Sequence, residues 1–181
     1  MIFLKKIAIL FFDIIDKYYH QNKILNYLKV NCEKLEIFFD IGSHKGTYTD
    51  LMLNNFRLEK IVMVEPQKNI YKYLKQKYNR NKKVRIYNVA ISDKKKMQTL
   101  YINKHDLTSS LTQIDKNNKY LNLKARLFGG TINDLIQKKY MISSYKLLDI
   151  IKNNKIRQID LLKIDTEGHE LQVLKGAGSF L

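Results

Sequence analysis

Apolar residues fall first at helical spacing and then, from about residue 36, in short runs separated by amphipathic stretches. Ile7, Leu10, Phe11, Ile14, Ile15 and Tyr18 share one helical face, with Lys6, Asp13, Asp16 and Lys17 interrupting the apolar pattern. Residues 36–40 then read as a buried strand and 47–56 as the helix after it. Residues 60–65 and 69–78 repeat the plan, with Ile70, Tyr73 and Leu74 on one helical face, and 84–89 is a third strand. Two consecutive strand–helix–strand units imply right-handed crossovers and an α/β fold with a doubly wound, mostly parallel sheet.

Residues 92–144 break this rhythm. They are expected to form an irregular insertion over the carboxyl edge of the sheet, with a hairpin arm at 97–102, a Ser/Thr-rich piece at Thr108-Ser109-Ser110 and a Gly129-Gly130 break before 131–139. Residues 145–153 then read as a helix, 159–165 as the fourth buried strand, and 170–174 as the opening of another helix. The division expected is an N-terminal helical segment, 1–35, followed by the α/β domain, 36–181.

Composition narrows the classes without naming one. With 181 residues, one Pro and seven Gly, the chain suits a single folded domain and excludes collagen-like or proline-rich disorder. Cys32 is the only cysteine, so no internal disulfide, multi-cysteine zinc site or Fe–S cluster can form, and a reducing, cytoplasmic setting fits. The net charge of +16 raises the idea of nucleic acid. Yet only five of the 33 basic residues are Arg, the side chain whose fork reads bases and clamps phosphates, and the lysines are spread along the whole chain. A solvated lysine coat is the plainer reading, with RNA as the lesser alternative. The run Ile7 to Phe12 is far too short for a membrane span, which needs about 20 residues. The basic, aromatic helix containing it is left with packing on the domain, or peripheral contact with a membrane, as its roles.

Candidate chemistry gathers where the strands end, the place where doubly wound sheets bind ligands. After the first strand comes Asp40-Ile41-Gly42-Ser43-His44-Lys45-Gly46-Thr47, whose two glycines allow a tight turn and close backbone approach before a helix N-terminus. It matches neither the three-glycine dinucleotide fingerprint nor the phosphate loop. The second strand ends in Glu65-Pro66, at the distance from Asp40 where an acidic side chain can take both hydroxyls of a ribose, with a capping or solvent-facing carboxylate as the plainer alternative. The third runs into Ala90, Ser92 and Asp93, small and polar residues suited to border a flat base. The fourth ends in Asp165-Thr166-Glu167-Gly168-His169-Glu170, a density of carboxylates and imidazole that no structural need explains.

Together the stretches FFDIGSHKGTYT, MVEP, VAISD and IDLLKIDTEGHELQVLKGAGSFL resemble the S-adenosylmethionine-dependent methyltransferases of the Rossmann-like class, and within them the FkbM family, from about Ile37 onward. The resemblance implies S-adenosyl-L-methionine as cofactor. Asp40 and Gly42 would meet its ammonium, the amides after Gly46, starting at Thr47, its carboxylate, Glu65 its ribose, and Ala90 with Asp93 its adenine. It implies methyl transfer to a hydroxyl of a sugar, glycan or other small molecule, with His169, Glu167 and Asp165 as candidates for the general base. His169 leads if it faces the pocket, because an imidazole titrates near neutrality. The same three residues have metal-ligand chemistry, but a run this tight seldom converges on one ion, so no metal is expected. The resembling fold normally has about seven strands, which makes this chain its cofactor half, with a non-catalytic fragment as the competing reading.

Overall fold

The computed structural model describes residues 21–103, 109–112 and 136–181. The helix expected over residues 7–18, the Gly129-Gly130 break and Thr108 lie outside the described residues. The chain divides into two units, residues 1–35 and 36–181. In the first, α1 (Gln21–Asn31) buries Leu25 and Leu28 and leaves Ile24, Tyr27 and Val30 exposed. Among the described residues no helix is long and apolar enough to cross a membrane.

The second unit is α/β. Its elements run β1 (Ile37–Ile41), α2 (Thr47–Asn55), β2 (Lys60–Val64), α3 (Lys68–Lys77), β3 (Val84–Tyr87), β4 (Ala90–Ile91), β5 (Lys96–Asn103), β6 (Ser109–Ser110), β7 (Ile136–Tyr145), α4 (Leu147–Asn153), β8 (Leu161–Ile164) and α5 (Glu170–Ala177), closed by a 3-10 turn at Gly178–Phe180. The main sheet has the order β3-β2-β1-β8 and every pair in it is parallel, Phe39 lying between Val62 and Leu162. Strands buried on both faces need near-continuous apolar runs, which IFFDI and KIVMV supply. Phe39, Ile41, Val62 and Val64 point to one face, where Leu147, Ile150 and Ile151 of α4 and Val173 and Ala177 of α5 complete a core with them. Phe38, Ile61 and Met63 alternate to the other face and are fully buried as well. The start of β1 is pinned by Asp160, whose Oδ2 accepts the Glu36 and Ile37 amides at 2.9 and 2.8 Å.

Strand order positions the site. From β1 the chain steps through β2 to β3 in one direction, then returns by way of α4 to place β8 on the opposite side of β1. Between β1 and β8 the order reverses, and the loops leaving their carboxyl ends splay to opposite faces, opening a crevice.

Two segments differ from the sequence reading. The expected third strand, 84–89, is split: Val84–Tyr87 completes the main sheet, whereas Ala90–Ile91 pairs with β7 in a second sheet. The Asn88 amide causes the break by donating to the carbonyls of Glu65 and Pro66, both at 2.9 Å, which diverts the chain over the end of β2. The insertion expected to be irregular supplies β5, β6 and nearly all of β7 to a second four-stranded sheet of order β4-β7-β5-β6. Its spine is the antiparallel pairing of β5 with β7, from Lys96↔Ser144 to Ile102↔Lys138, and Ala90, Leu100, Ile102 and Ile142 form its core. The chain stays extended through Tyr145, so α4 begins at Leu147, two residues later than its pattern suggests.

Candidate active site

The first wall of the crevice is the turn after β1. Gly42 has φ 76°, and a Cβ there would overlap the Asp165 carbonyl oxygen, so glycine is required both by conformation and by contact with the loop after β8. The Gly42 and Ser43 amides donate to the Val64 carbonyl at 2.9 and 3.1 Å, tying the turn to the end of β2. From β8, the Lys163 ammonium donates to the Gly42 carbonyl at 2.8 Å and lies 3.3 Å from Asp40 Oδ1 and 3.5 Å from Asp165 Oδ2. Asp40 is fully buried and its other oxygen accepts the Thr49 hydroxyl at 2.8 Å. Of the two carboxylate oxygens Oδ2 is hydrogen-bonded, to Thr49, while the buried Oδ1 has the Lys163 charge nearby but no hydrogen bond. Asp165, on the other side of the same ammonium, has an exposed side chain.

Glu65, one residue beyond β2, is buried. Its Oε2 accepts the His44 amide at 2.9 Å and its Oε1 the Gln67 amide at 2.8 Å. Burial pushes its carboxyl up to about 7, outweighing the two amides and Lys163, which favour the ionised form. Tyr140 reaches across from β7 to brace the same loop, its hydroxyl donating to the Pro66 carbonyl at 3.1 Å and accepting the Lys68 amide at 3.3 Å.

The loop after β8 forms the other wall. Glu167 and Gly168 both have positive φ, and the turn is held by Glu170 Oε1, which accepts the amides of Thr166 (2.8 Å) and Gly168 (3.2 Å) and the Thr166 hydroxyl (3.1 Å). Burial works against the Glu170 charge, yet these bonds hold its carboxyl below the usual range. His169 follows as the N-cap of α5. Its Nε2 lies 3.0 Å from Ser92 Oγ and its Nδ1 3.4 Å from Thr112 Oγ1. Burial pushes the imidazole below its ordinary value, while Asp93 and Glu170 draw it back up and Lys96 pushes it further down. The residues 109–112 lie over this turn: Ser110 donates to the Glu167 carbonyl at 2.7 Å and Thr112 to that of Gly168 at 3.1 Å.

These parts enclose one cleft. Of the residues singled out in the sequence, Gly42, Glu65, Ala90, Asp165, Glu167 and His169 line it. Asp40, Gly46, Thr47 and Asp93 stand outside its wall. Asp40 is turned toward Lys163, the Gly46 carbonyl accepts the Tyr78 hydroxyl at 3.0 Å, Thr47 opens α2, and Asp93 lies beyond Ser92. Among the described residues no cluster of His, Cys, Asp or Glu has the arrangement of a metal site. Lys163, Ser92, Thr112 and Tyr140 carry much of the organisation. Sequence spacing marks Thr108-Ser109-Ser110 only as polar, and nothing local to Lys163 or Tyr140 shows what they touch.

Beside the buried Glu65 carboxyl, Val64, Val89, Ala90, Ile91 and Leu100 form an apolar wall of the cleft. The Gly42 turn and Asp165 line the same cleft.

The sequence matches the methyltransferase FkbM domain family over residues 40–181. Among solved structures, the methyltransferase FkbM from Methylobacillus flagellatus KT is similar at 17% sequence identity with a TM-score of 0.47. The match covers 79% of this chain and 29% of that one, so the chain spans less than a third of that protein's length. No curated protein matches the chain in sequence.

Proposed function

Because the chain belongs to the FkbM methyltransferase domain family, we propose that it takes part in methyl transfer from S-adenosyl-L-methionine to a hydroxyl oxygen of a sugar, glycan or other small molecule. The observation that carries this reading is the shared cleft: a buried, diol-accepting Glu65, the Gly42 turn and the His169 imidazole all face one space at the topological switch point.

When bound, the cofactor supplies a methyl group activated by its sulfonium charge. The protein's contribution is to hold, orient and deprotonate. Glu65 receives the ribose hydroxyls, presented at a fixed angle because the His44 and Gln67 amides lock both carboxylate oxygens. The apolar wall from Val89 to Ile91 takes the adenine. Asp165, whose exposed side chain lines the cleft, would face the cofactor's ammonium, with the Asp40–Lys163 pair behind it and Lys163 fixing Gly42 beside it. His169 removes the proton of the acceptor hydroxyl. Burial suits it to this role, because an imidazole kept neutral at physiological pH is ready to accept. Glu167, on the same turn, borders the acceptor side.

Calorimetry tests the cofactor half directly. S-adenosylhomocysteine is expected to bind the wild-type protein, and Glu65→Ala to weaken binding by about 2–4 kcal/mol, since a diol would lose its charged acceptor. Tight binding by a variant with both Gly42 and Glu65 replaced would overturn the site assignment.

A further inference from the structure

Ser92 joins two groups that the reading above keeps apart. It is almost fully buried, and its hydroxyl donates to Asp93 Oδ1 at 3.1 Å while lying 3.0 Å from His169 Nε2. A serine hydroxyl has one proton. Spent on the carboxylate, it leaves Oγ as an acceptor, an arrangement that favours a proton on Nε2. The other ring nitrogen then holds the lone pair. Thr112 Oγ1 also directs its own proton away from the ring, to the Gly168 carbonyl, but it lies 3.4 Å from Nδ1 against 3.0 Å for the Ser92 contact, so the shorter contact is the one assigned the ring proton.

We propose that Ser92 and Asp93 form a positioning relay for His169, fixing the neutral imidazole as its Nε2–H tautomer, leaving Nδ1 as the proton acceptor, and placing the Asp93 charge behind the imidazolium that results. This inference rests on the methyl-transfer reading for its consequence, not for its geometry. As the acceptor oxygen bonds to the methyl carbon, the C–S bonding pair stays on sulfur and the hydroxyl proton passes to Nδ1. The imidazolium then donates from both nitrogens, to Ser92 on one side and to the Thr112 oxygen on the other. A carboxylate acting through an intermediate hydroxyl orients the ring and stabilises its charge without taking the proton.

The fold builds this arrangement on purpose-shaped contacts. Ser92 follows β4 and its amide donates to the Tyr145 carbonyl at 2.9 Å. His169 starts α5, and Gly176 on that helix packs so closely on the Ser92 carbonyl that a Cβ would overlap it. The charges acting on the ring are Asp93 and Glu170, which favour the imidazolium, and Lys96, which opposes it. Asp93 is held ionised: what little burial it has opposes the charge, and the Ser92 hydroxyl with Lys94 and Lys96 prevails.

Long-range nitrogen–proton NMR on the unliganded, nitrogen-15-labelled protein tests the relay, with His169→Gln assigning the signal. Neutral His169 is expected in the Nε2–H form. Asp93→Asn is expected to lower the proton affinity of His169 roughly three- to tenfold at low salt, and Asp93→Glu to restore much of it; Ser92→Ala should erase the tautomer preference. A neutral ring protonated at Nδ1, or a titration unmoved by Asp93→Asn, overturns the relay. These readings do not depend on turnover. With the expected tautomer and titration but no hydroxyl methylated by the labelled cofactor, the relay stands and the hydroxyl-transfer reading falls. Methyl transfer by a protein with the opposite tautomer has the reverse meaning.

Discussion

Glu65 shows how a single side chain makes the protein sensitive to pH near neutrality. Its carboxyl titrates at about 7 in the folded protein against 4.5 in an unperturbed chain, so the native state holds this proton more tightly than the unfolded state does. The sign follows from linkage: the stabilisation from this group is complete below about pH 4.5 and is lost as pH rises through about 7. Urea denaturation of wild type and Glu65→Gln across this range should show a decline in wild-type stability that the variant lacks. Ligand binding runs the other way. A ribose diol donates to the ionised carboxylate, so S-adenosylhomocysteine should bind about tenfold more weakly near pH 6 than near pH 8, with uptake of a proton by the free protein at the lower pH. A flat affinity profile would mean that Glu65 does not meet the ligand. The position of Glu65 at a strand end and in the cleft wall was legible in the sequence because it depends on a local fact, an acidic residue following an apolar run. Its shifted proton affinity was not, because burial is supplied by the surrounding loops.

At the scale of elements, α5 connects the turn after β8 to the second sheet. His169 caps it and Gly176 sits two turns later, against the Ser92 backbone. Gly176→Ala should raise helix propensity, yet the clash with a backbone carbonyl cannot be relieved by a side-chain rotation. The expected net effect is a destabilisation of about 1–3 kcal/mol, read as a lower urea midpoint, together with loss of the Nε2–H preference at His169 as helix and strand separate. Unchanged stability would show that the helix shifts freely. Elements were legible where one pattern ruled them: β1 and β2 are near-continuous apolar runs, and α2 and α3 follow with the expected bounds to within a residue. β7 was missed because IQKKYMISSY carries lysines and serines on both faces of the strand, blurring the period-two signal. The split of the third strand was illegible for another reason. Its apolar residues Val84, Ile86, Tyr87 and Val89 run on toward Ala90 and Ile91 with no glycine or proline to mark a break, and the Asn88 amide, bonded to carbonyls more than 20 residues away in sequence, redirects the chain.

For the whole molecule, the reversal of strand order between β1 and β8 brings distant loops to one cleft, and filling the cleft should stabilise all of them at once. A ligand that binds only the native state adds about 2.7 kcal/mol at a hundred times its Kd, so the melting temperature should rise with S-adenosylhomocysteine concentration in the wild type and stay nearly constant in Glu65→Ala. An equal rise in both would place the ligand elsewhere. The sequence by itself determined the α/β class, the strand-end turns and six of the residues that line the cleft, because hydrophobic period, glycine turns and acidic strand ends are written within a few residues of each other. Only the tertiary structure decided their partners. It gave Asp40 to Lys163, Ser92 to His169 and Tyr140 to Pro66, pairs brought together by strand order and by the docking of the second sheet. Residues 77 apart in the chain meet at 3.0 Å because α5 lies against the end of β4, and no pattern local to either residue contains that fact.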